Sequence, residues 1–283
     1  MMRIAVIVTT YNRPDALAAV LDGYLAQRDS EFELIVADDG STEPTAQKIR
    51  EYKVRAPFLI RHVWQKDHGF RAAAARNRAL AATSADYVVF TDGDCIPIPD
   101  FVAAHRRLAE PGWFVSGNRV LLSKSFTQQV LQQHLPVQNW RFGHWLHARA
   151  RHDINRLLPL LRLPYCGWLR KLNPQGWRSA RTCNLAAWRA DLAAINGFDE
   201  AYSGWGMEDS DLAVRLLRSG IRHKSARFAA PLLHLWHREN DRGSLSGNRQ
   251  RLESALSSGT VRAQRGLEQY LTDATSQHSI RDV

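Results

Sequence analysis

Strand-like and helix-like stretches alternate through the first hundred residues, and nothing else in this sequence restricts its fold as much. "RIAVIVTT" (3–10), "FELIVADDGS" (32–41), "FLIRHVW" (58–64) and "DYVVFTDGD" (86–94) are short apolar runs of the kind that form buried strands. Helix-like "DALAAVLDGYLAQ", "TAQKIREY", "RAAAARNRALAAT" and "DFVAAHRRLA" follow them in turn, the first introduced by Pro14, which suits an opening helical turn. Such alternation predicts an α/β fold with a mostly parallel sheet covered by helices on both faces. Ligands in these sheets bind beyond the carboxyl ends of the strands. Polar residues sit at each of those ends: Thr9 to Arg13, Asp38 with Asp39, Asp67, and Asp92 with Asp94. Any one of the acids, taken singly, would serve as a turn or cap residue. At four successive strand ends they predict a shared crevice.

Asp92, Gly93 and Asp94 leave the fourth strand as a D-x-D turn, in which the glycine permits the backbone geometry and leaves room for a ligand. Mg²⁺ and Mn²⁺ take oxygen ligands and commonly join one or two carboxylates to substrate phosphates. The pair therefore predicts a divalent-cation site that holds a diphosphate. "HLWH" places His234 and His237 three residues apart, and imidazoles beside carboxylates shift the preference toward Mn²⁺. His144, His147 and His152 in "GHWLHARARH" have no acidic or cysteine partner at ligand spacing, so that stretch reads as a solvated basic helix face.

The alternation stops near residue 118. Four tryptophans, Trp140, Trp145, Trp168 and Trp177, then stand among arginines in a stretch that reads as a helical or loop-rich insertion. The expected organisation is an α/β part over 1–118, a basic aromatic insertion over 119–181, a third part over 182–245, and a C-terminal helix and tail over 246–283. The formal net charge is +10. A surplus of that size fits a phosphate-bearing partner: nucleic acid, a nucleotide or an anionic membrane face. Three separated cysteines, Cys95, Cys166 and Cys183, make neither a disulfide framework nor a thiolate zinc site, as in a reducing compartment. The opening apolar run is short for a signal-peptide core, and no stretch approaches the ~20 apolar residues that span a bilayer. A cytoplasmic protein, either soluble or peripheral on the inner face of the membrane, is the expectation.

"VIVTTYNRPDAL", "ELIVADDGSTEPT", "QKDHGFRAAAARNRAL", "YVVFTDGDCIPIPDFV" and "NGFDEAYSGWGMEDSDLAVRLLRSG" together resemble the inverting family 2 glycosyltransferases, which have the Rossmann-like GT-A fold. The last block resembles the version shared with chondroitin-type polymerases and β-1,4-galactosyltransferases. The resemblance covers residues 3–118 and 182–240 and leaves the basic middle unexplained; it implies that 1–118 bind the nucleotide sugar, that 182–245 are the acceptor-binding and catalytic part of the same domain, and that 119–181 face the acceptor or a membrane. It implies that Thr10, Tyr11 and Arg13 line the nucleotide pocket, that Asp39 and Asp38 hold the base and ribose of a UDP-type donor, and that Asp67 contacts the base. It implies further that Asp94, with Asp92, binds metal beside His237 and His234, and that Arg76 faces the diphosphate, the alternative for that arginine being a solvated helix face. In "GWGMEDSDL" it makes Asp209 the general base and assigns Glu208 and Trp205 to the acceptor sugar. A helix-terminal dipole would lower the Asp209 pKa and burial would raise it.

The implied activity is metal-dependent transfer of a sugar, hexosyl or N-acetylhexosaminyl, from a nucleotide donor to a glycan or glycolipid hydroxyl, as in lipopolysaccharide or other surface polysaccharide synthesis. "QNWRF" superficially matches an element of processive synthases but ends in Phe142 and precedes the "ED" block, which argues against processivity. Walker, GxGxxG and HExxH motifs are missing from the sequence. A nucleic-acid-binding module would suit the basic, tryptophan-rich middle but would leave the strand-end acids without a purpose, so no nucleic acid is expected as partner. A sugar-nucleotide-binding protein or nucleotidyltransferase without glycosyl transfer is the nearer alternative.

Overall fold

The computed structural model describes residues 1–162, 167–239 and 241–274. The expected alternation appears as β1 (Ile4–Thr10), α1 (Pro14–Leu25), β2 (Phe32–Asp38), α2 (Glu43–Arg55), β3 (Ile60–Trp64), α3 (Ala72–Ala81) and β4 (Tyr87–Asp92). Next come β5 (Cys95–Pro97), α4 (Phe101–Leu108), β6 (Trp113–Ser116) and β7 (Arg119–Leu121). The basic middle holds α5 (Lys124–Gln132), α6 (Phe142–Ala150) and three single 3₁₀ turns. Strand β8 (Asn184–Trp188) precedes α7 (Arg189–Ala194), α8 (Glu208–Arg218), β9 (Arg222–Ser225), β10 (Leu232–His234), α9 (Leu245–Ser258) and α10 (Glu268–Ala274).

Seven strands form the main sheet in the order β3-β2-β1-β4-β8-β6-β9, and β5-β10-β7 form a small second sheet. All neighbours in the large sheet are parallel except β8, which runs antiparallel to both β4 and β6. The sheet is thus mostly parallel and flanked by helices. Residues alternate between two cores: Ile4, Val6 and Val8 of β1 face α1 and α4, whereas Ala5 and Ile7 face α3 and α8. Burial on both faces explains why β1 reads as an unbroken apolar run instead of an alternating one.

Strand order reverses at β1, which lies between β2 and β4. A crevice opens where the connections leave in opposite directions, and in open α/β sheets it is the place where ligands sit. Register sets Thr10 opposite Asp38 on one side and Thr9 opposite Asp92 on the other. In the small sheet β10 runs antiparallel to β5, so that His234 lies opposite Cys95, next to Asp94.

The basic face expected over "GHWLHARARH" is α6, which buries Trp145 and Ala148 and exposes His144 and His147. The single C-terminal helix expected within 246–283 is instead two. Gly259, in the left-handed region at φ 71°, ends α9 and an irregular stretch separates it from α10. Cys95 and Cys183 are buried free thiols. Cys166 and the end of the tail, 275–283, lie outside the described residues. No helix among those described is long and apolar enough to cross a membrane.

Candidate active site

The loops after β1, β2 and β3 build the first wall of the crevice. Asn12, at φ 47°, turns the chain, and its side-chain oxygen accepts from the Thr42 amide and hydroxyl at 2.9 Å. Asp38 is 1% exposed, and both its oxygens are engaged: one accepts from the Ser41 amide at 2.8 Å and the other meets His62 Nε2 at 2.9 Å. It shapes the turn. Asp39 accepts from the Arg71 amide at 2.7 Å and the Gln65 side chain at 2.5 Å, and burial raises its pKa. Tyr11 donates to Asp67 at 2.9 Å, a bond that raises the phenol's pKa, while the Gly69 amide and Tyr11 hold the Asp67 carboxyl low. The backbone of Gly40 approaches so closely that a Cβ there would stand 2.6 Å from the Asp67 Cα. Tyr11, Asp39 and Asp67 therefore gather at one loop cluster, with Thr10 beneath them. Arg13 stands at the rim, its guanidinium taken up by Asp15 at 3.0 Å.

The D-x-D turn forms the floor. Gly93 lies on β1: its amide donates to Thr9 O at 2.7 Å, and a Cβ there would come 3.0 Å from the Thr10 hydroxyl. That hydroxyl is buried without a hydrogen-bond partner among the described residues. Beyond it, Asp94, His234 and His237 offer one ligand atom each within 4.8 Å of one another, and Asp92 and Cys95 make a second such group with Asp94. His234 Nε2 and His237 Nε2 stand 3.6 and 3.4 Å from the same Asp94 oxygen. Those gaps exceed good hydrogen bonds. They match the ~3–3.5 Å separations of ligand atoms that share one ion at ~2.1 Å. Burial lowers the His234 pKa to about 4, so its ring is neutral and its lone pair available at physiological pH. One carboxylate and two imidazoles form a donor set that suits Mn²⁺. The Leu235 amide, donating to Asp94 O at 2.9 Å, ties the histidine segment to the turn.

The second wall is the start of α8. Gly204, Gly206 and Met207 all have positive φ (73°, 105° and 77°), so "GWGM" makes a tight left-handed bend that turns into the helix. The bend leaves Trp205 37% exposed, with the Arg242 guanidinium 5.4 Å above its ring. Glu208 and Asp209 open α8. Asp209 accepts from the Ser210 amide at 2.7 Å and has Arg181 at 3.8 Å. Burial, reinforced by Glu208, pushes its carboxyl up to about 6 against the pull of Arg181 and Arg76. The competition between burial and helix terminus is thus won by burial.

Arg76 joins the walls. Its guanidinium donates to the Thr9 hydroxyl at 3.0 Å, to Asp92 at 3.2 Å and to Glu208 at 3.2 Å. The resemblance set this residue against the diphosphate; in the fold three of its five N–H donors go to protein oxygens, and it links β4 to α8 as a buried side chain. Burial, with Asp94 adding to it, raises the Asp92 pKa in spite of the arginine. Three site residues escaped the sequence reading. Gln65 orients Asp39, Arg181 faces Asp209, and Arg119 stands near Asp92 and Asp94. Neither arginine belongs to a motif, and each lies in the basic stretch where a solvated surface was the simplest reading.

The pattern of the family described as "Glycosyl transferase family 2" matches residues 5–172, and that of "N-terminal domain of galactosyltransferase" matches 169–238. Validoxylamine A glucosyltransferase of Streptomyces hygroscopicus subsp. limoneus is 31% identical over 237 residues, covering 77% of this chain and 48% of that one. Chondroitin synthase of Escherichia coli is 26% identical over 247 residues, covering 80% and 34%. The chain spans about half the length of the first of these relatives. Among solved structures, Staphylococcus aureus TarS 1-349 in complex with UDP superposes with a TM-score of 0.62 at 15% identity, covering 99% of this chain and 74% of that one. The mannosyltransferase PcManGT from Pyrobaculum calidifontis, in complex with GDP-Man and Mn²⁺, gives 0.60 at 21% identity, covering 96% and 68%. At those identities the likeness bears on the fold, which is the GT-A architecture. With more than half of its length matched by the family pattern, the chain belongs to glycosyl transferase family 2.

Proposed function

We propose that the protein is a metal-dependent inverting glycosyltransferase that moves a sugar from a UDP-linked donor to a hydroxyl of a glycan or glycolipid acceptor. The observation that carries this reading is the convergence of Asp94, His234 and His237 on a crevice whose opposite wall bears the elevated carboxyl of Asp209. The base and ribose lie against Tyr11, Asp39 and Asp67, and the diphosphate passes over the D-x-D turn, whose close seat on β1 a side chain at Gly93 would disturb. A divalent cation held by Asp94, His234 and His237, with Asp92 nearby, would offset the charge that develops on the leaving diphosphate. Asp209 takes the acceptor hydroxyl's proton while that oxygen attacks the anomeric carbon from the side opposite the diphosphate, which inverts the centre. Trp205 offers a face for stacking the acceptor sugar. Arg76 holds one oxygen of Glu208, leaving the other to an acceptor hydroxyl.

The UDP preference draws on TarS, solved with UDP and with UDP-GlcNAc, although PcManGT was solved with GDP-Man. Residues 1–118 and 182–245 are read as one catalytic domain, and 119–181 as a lobe that meets the acceptor or an anionic membrane. Synthesis of lipopolysaccharide or another surface polysaccharide is the setting this suits. The test is a thermal-shift screen of UDP, GDP, CMP and TDP sugars with and without Mn²⁺. A UDP-sugar should raise the melting temperature only with the metal, since a ligand at a hundred times its Kd stabilises the native state by about 2.7 kcal/mol. Asp94→Ala should remove the shift. A rise that survives both EDTA and Asp94→Ala would refute the metal-bound donor.

A further inference from the structure

Arg119 opens β7 at the crevice and has no task in the reading above. Its backbone is fixed with care. Asn184, fully buried, donates from its side-chain amide to Asn118 O at 3.1 Å and Ala230 O at 2.7 Å, while its backbone oxygen accepts from the Gly117 amide at 2.8 Å. Gly117 presses so closely that a Cβ there would stand 2.3 Å from the Asn184 side chain, so only glycine fits. On the other side, Arg156 donates to Arg119 O at 3.0 Å. Within the small sheet Arg119 pairs with Leu232 and Leu121 with His234, which puts Arg119 and His234 on the same face one pleat apart.

The side chain contrasts with that of Arg76. Whereas Arg76 donates to three protein oxygens, the Arg119 guanidinium makes neither a hydrogen bond nor an ion pair with any described residue. It is nonetheless partly buried and firmly charged. Opposing the cost of that burial, Cys183, Cys95, Asp92 and Asp94 raise its pKa above the ordinary arginine value. An arginine whose purpose was to neutralise the D-x-D carboxylates would be expected in contact with them. Instead it is held near them with its fork of donors unspent, and withdrawing a cation from water without a partner is costly. An anion supplied by a ligand completes the arrangement, and the planar guanidinium matches phosphate oxygens two at a time.

We propose that Arg119 is a donor-binding residue that grips the β-phosphate of the nucleotide beside the cation site. This inference rests on the donor reading above. Its content is distinct: it concerns which protein cation recognises the second phosphate, whatever the base.

Titration calorimetry with Mn²⁺ tests it, using UDP against UMP and GDP against GMP on the wild-type chain, Arg119→Ala and Arg119→Lys. The wild type should prefer the diphosphate of its base. Arg119→Ala should weaken diphosphate binding about ten-fold or more and leave the monophosphate within about two-fold, with Arg119→Lys recovering part of the preference because it restores charge without the fork. An unchanged diphosphate-to-monophosphate ratio in Arg119→Ala, or equal weakening of both ligands, overturns the assignment while leaving the donor site standing. If Arg119→Ala fails to fold, the lysine variant decides: a preference reduced several-fold supports the role and an unaltered one overturns it. A wild-type chain that binds no nucleotide with Mn²⁺ overturns the donor reading and this inference together.

Discussion

In the proposed transfer, Asp209 carries the chemistry at the scale of single residues. A general base works best with a pKa near the working pH, high enough to hold a proton and low enough to be empty when the acceptor arrives. Burial moves this carboxyl up to about 6, whereas an exposed carboxylate would be a poor base. Because the pKa is raised, the protonated fraction grows as pH falls through about 6. Turnover should therefore be lost on the acid side, and a pH profile of kcat should show a limb near that value. Asp209→Asn should lower kcat roughly 10²–10⁴-fold while calorimetry finds UDP binding within two-fold of the wild type. Undiminished turnover in that variant would remove Asp209 as the base. The sequence made the position of this residue legible through "GWGMEDSDL" but left its pKa undecided, because desolvation depends on what packs around it. The same holds for Asp38 and Asp39. They are adjacent and alike in sequence, yet the first spends its oxygens on Ser41 and His62, and the second spends its own on Gln65 and Arg71 from the loop after β3.

Elements bring these groups to one place. Helix α8 must begin abruptly for Glu208 and Asp209 to face β4, and the positive-φ bend at Gly204, Gly206 and Met207 achieves it. Gly206, at φ 105°, occupies a conformation that an alanine adopts only at a strain of ~1–3 kcal/mol, and its Cβ would also stand 3.0 Å from Leu245. Gly206→Ala should lower the denaturation midpoint and cut kcat more than it weakens donor binding. Gly220→Ala is the control. Gly220 also has a positive φ, 91°, with open space around it, at the other end of α8. It should cost similar stability and leave kcat intact; equal loss of kcat in both would show that the bend does not position Asp209. Strands β1 to β4 and their helices were readable from periodicity, since burial on two faces imprints itself on local composition. The short strands β5, β7 and β10 were not. Three residues each carry no period, and they exist because they pair with one another.

At the level of the whole molecule, charge is segregated. Residues 119–181 hold eleven lysines and arginines against the single acid Asp153, an excess equal to the entire net charge of +10. The remainder of the chain is formally neutral. Large apolar side chains are exposed in the same stretch, among them Trp168 and Leu172 at 70% and Leu158 at 65%. A basic surface carrying exposed tryptophan and leucine suits an anionic bilayer, to which each nearby cation adds about 1 kcal/mol at low salt. The protein should float with phosphatidylglycerol-containing vesicles at low ionic strength and separate from them as salt rises past the range where screening is strong. Trp168→Ala should weaken flotation at fixed salt. Retention that ignores salt, or no binding to anionic vesicles at all, would exclude this surface as a membrane contact.

By itself, the sequence determined the alternating α/β framework, the strand ends at which acids collect and the blocks that mark the family, because each is written in neighbouring residues. Only the tertiary structure decided which charged groups are spent on the protein and which are left for ligands. Arg76 donates to Glu208, 132 positions away, whereas Arg119, near Asp92 and Asp94, has no hydrogen-bond or ion-pair partner for its guanidinium among the described residues. Burial and partnership are properties of residues that meet in space, and no run of neighbours along the chain records them.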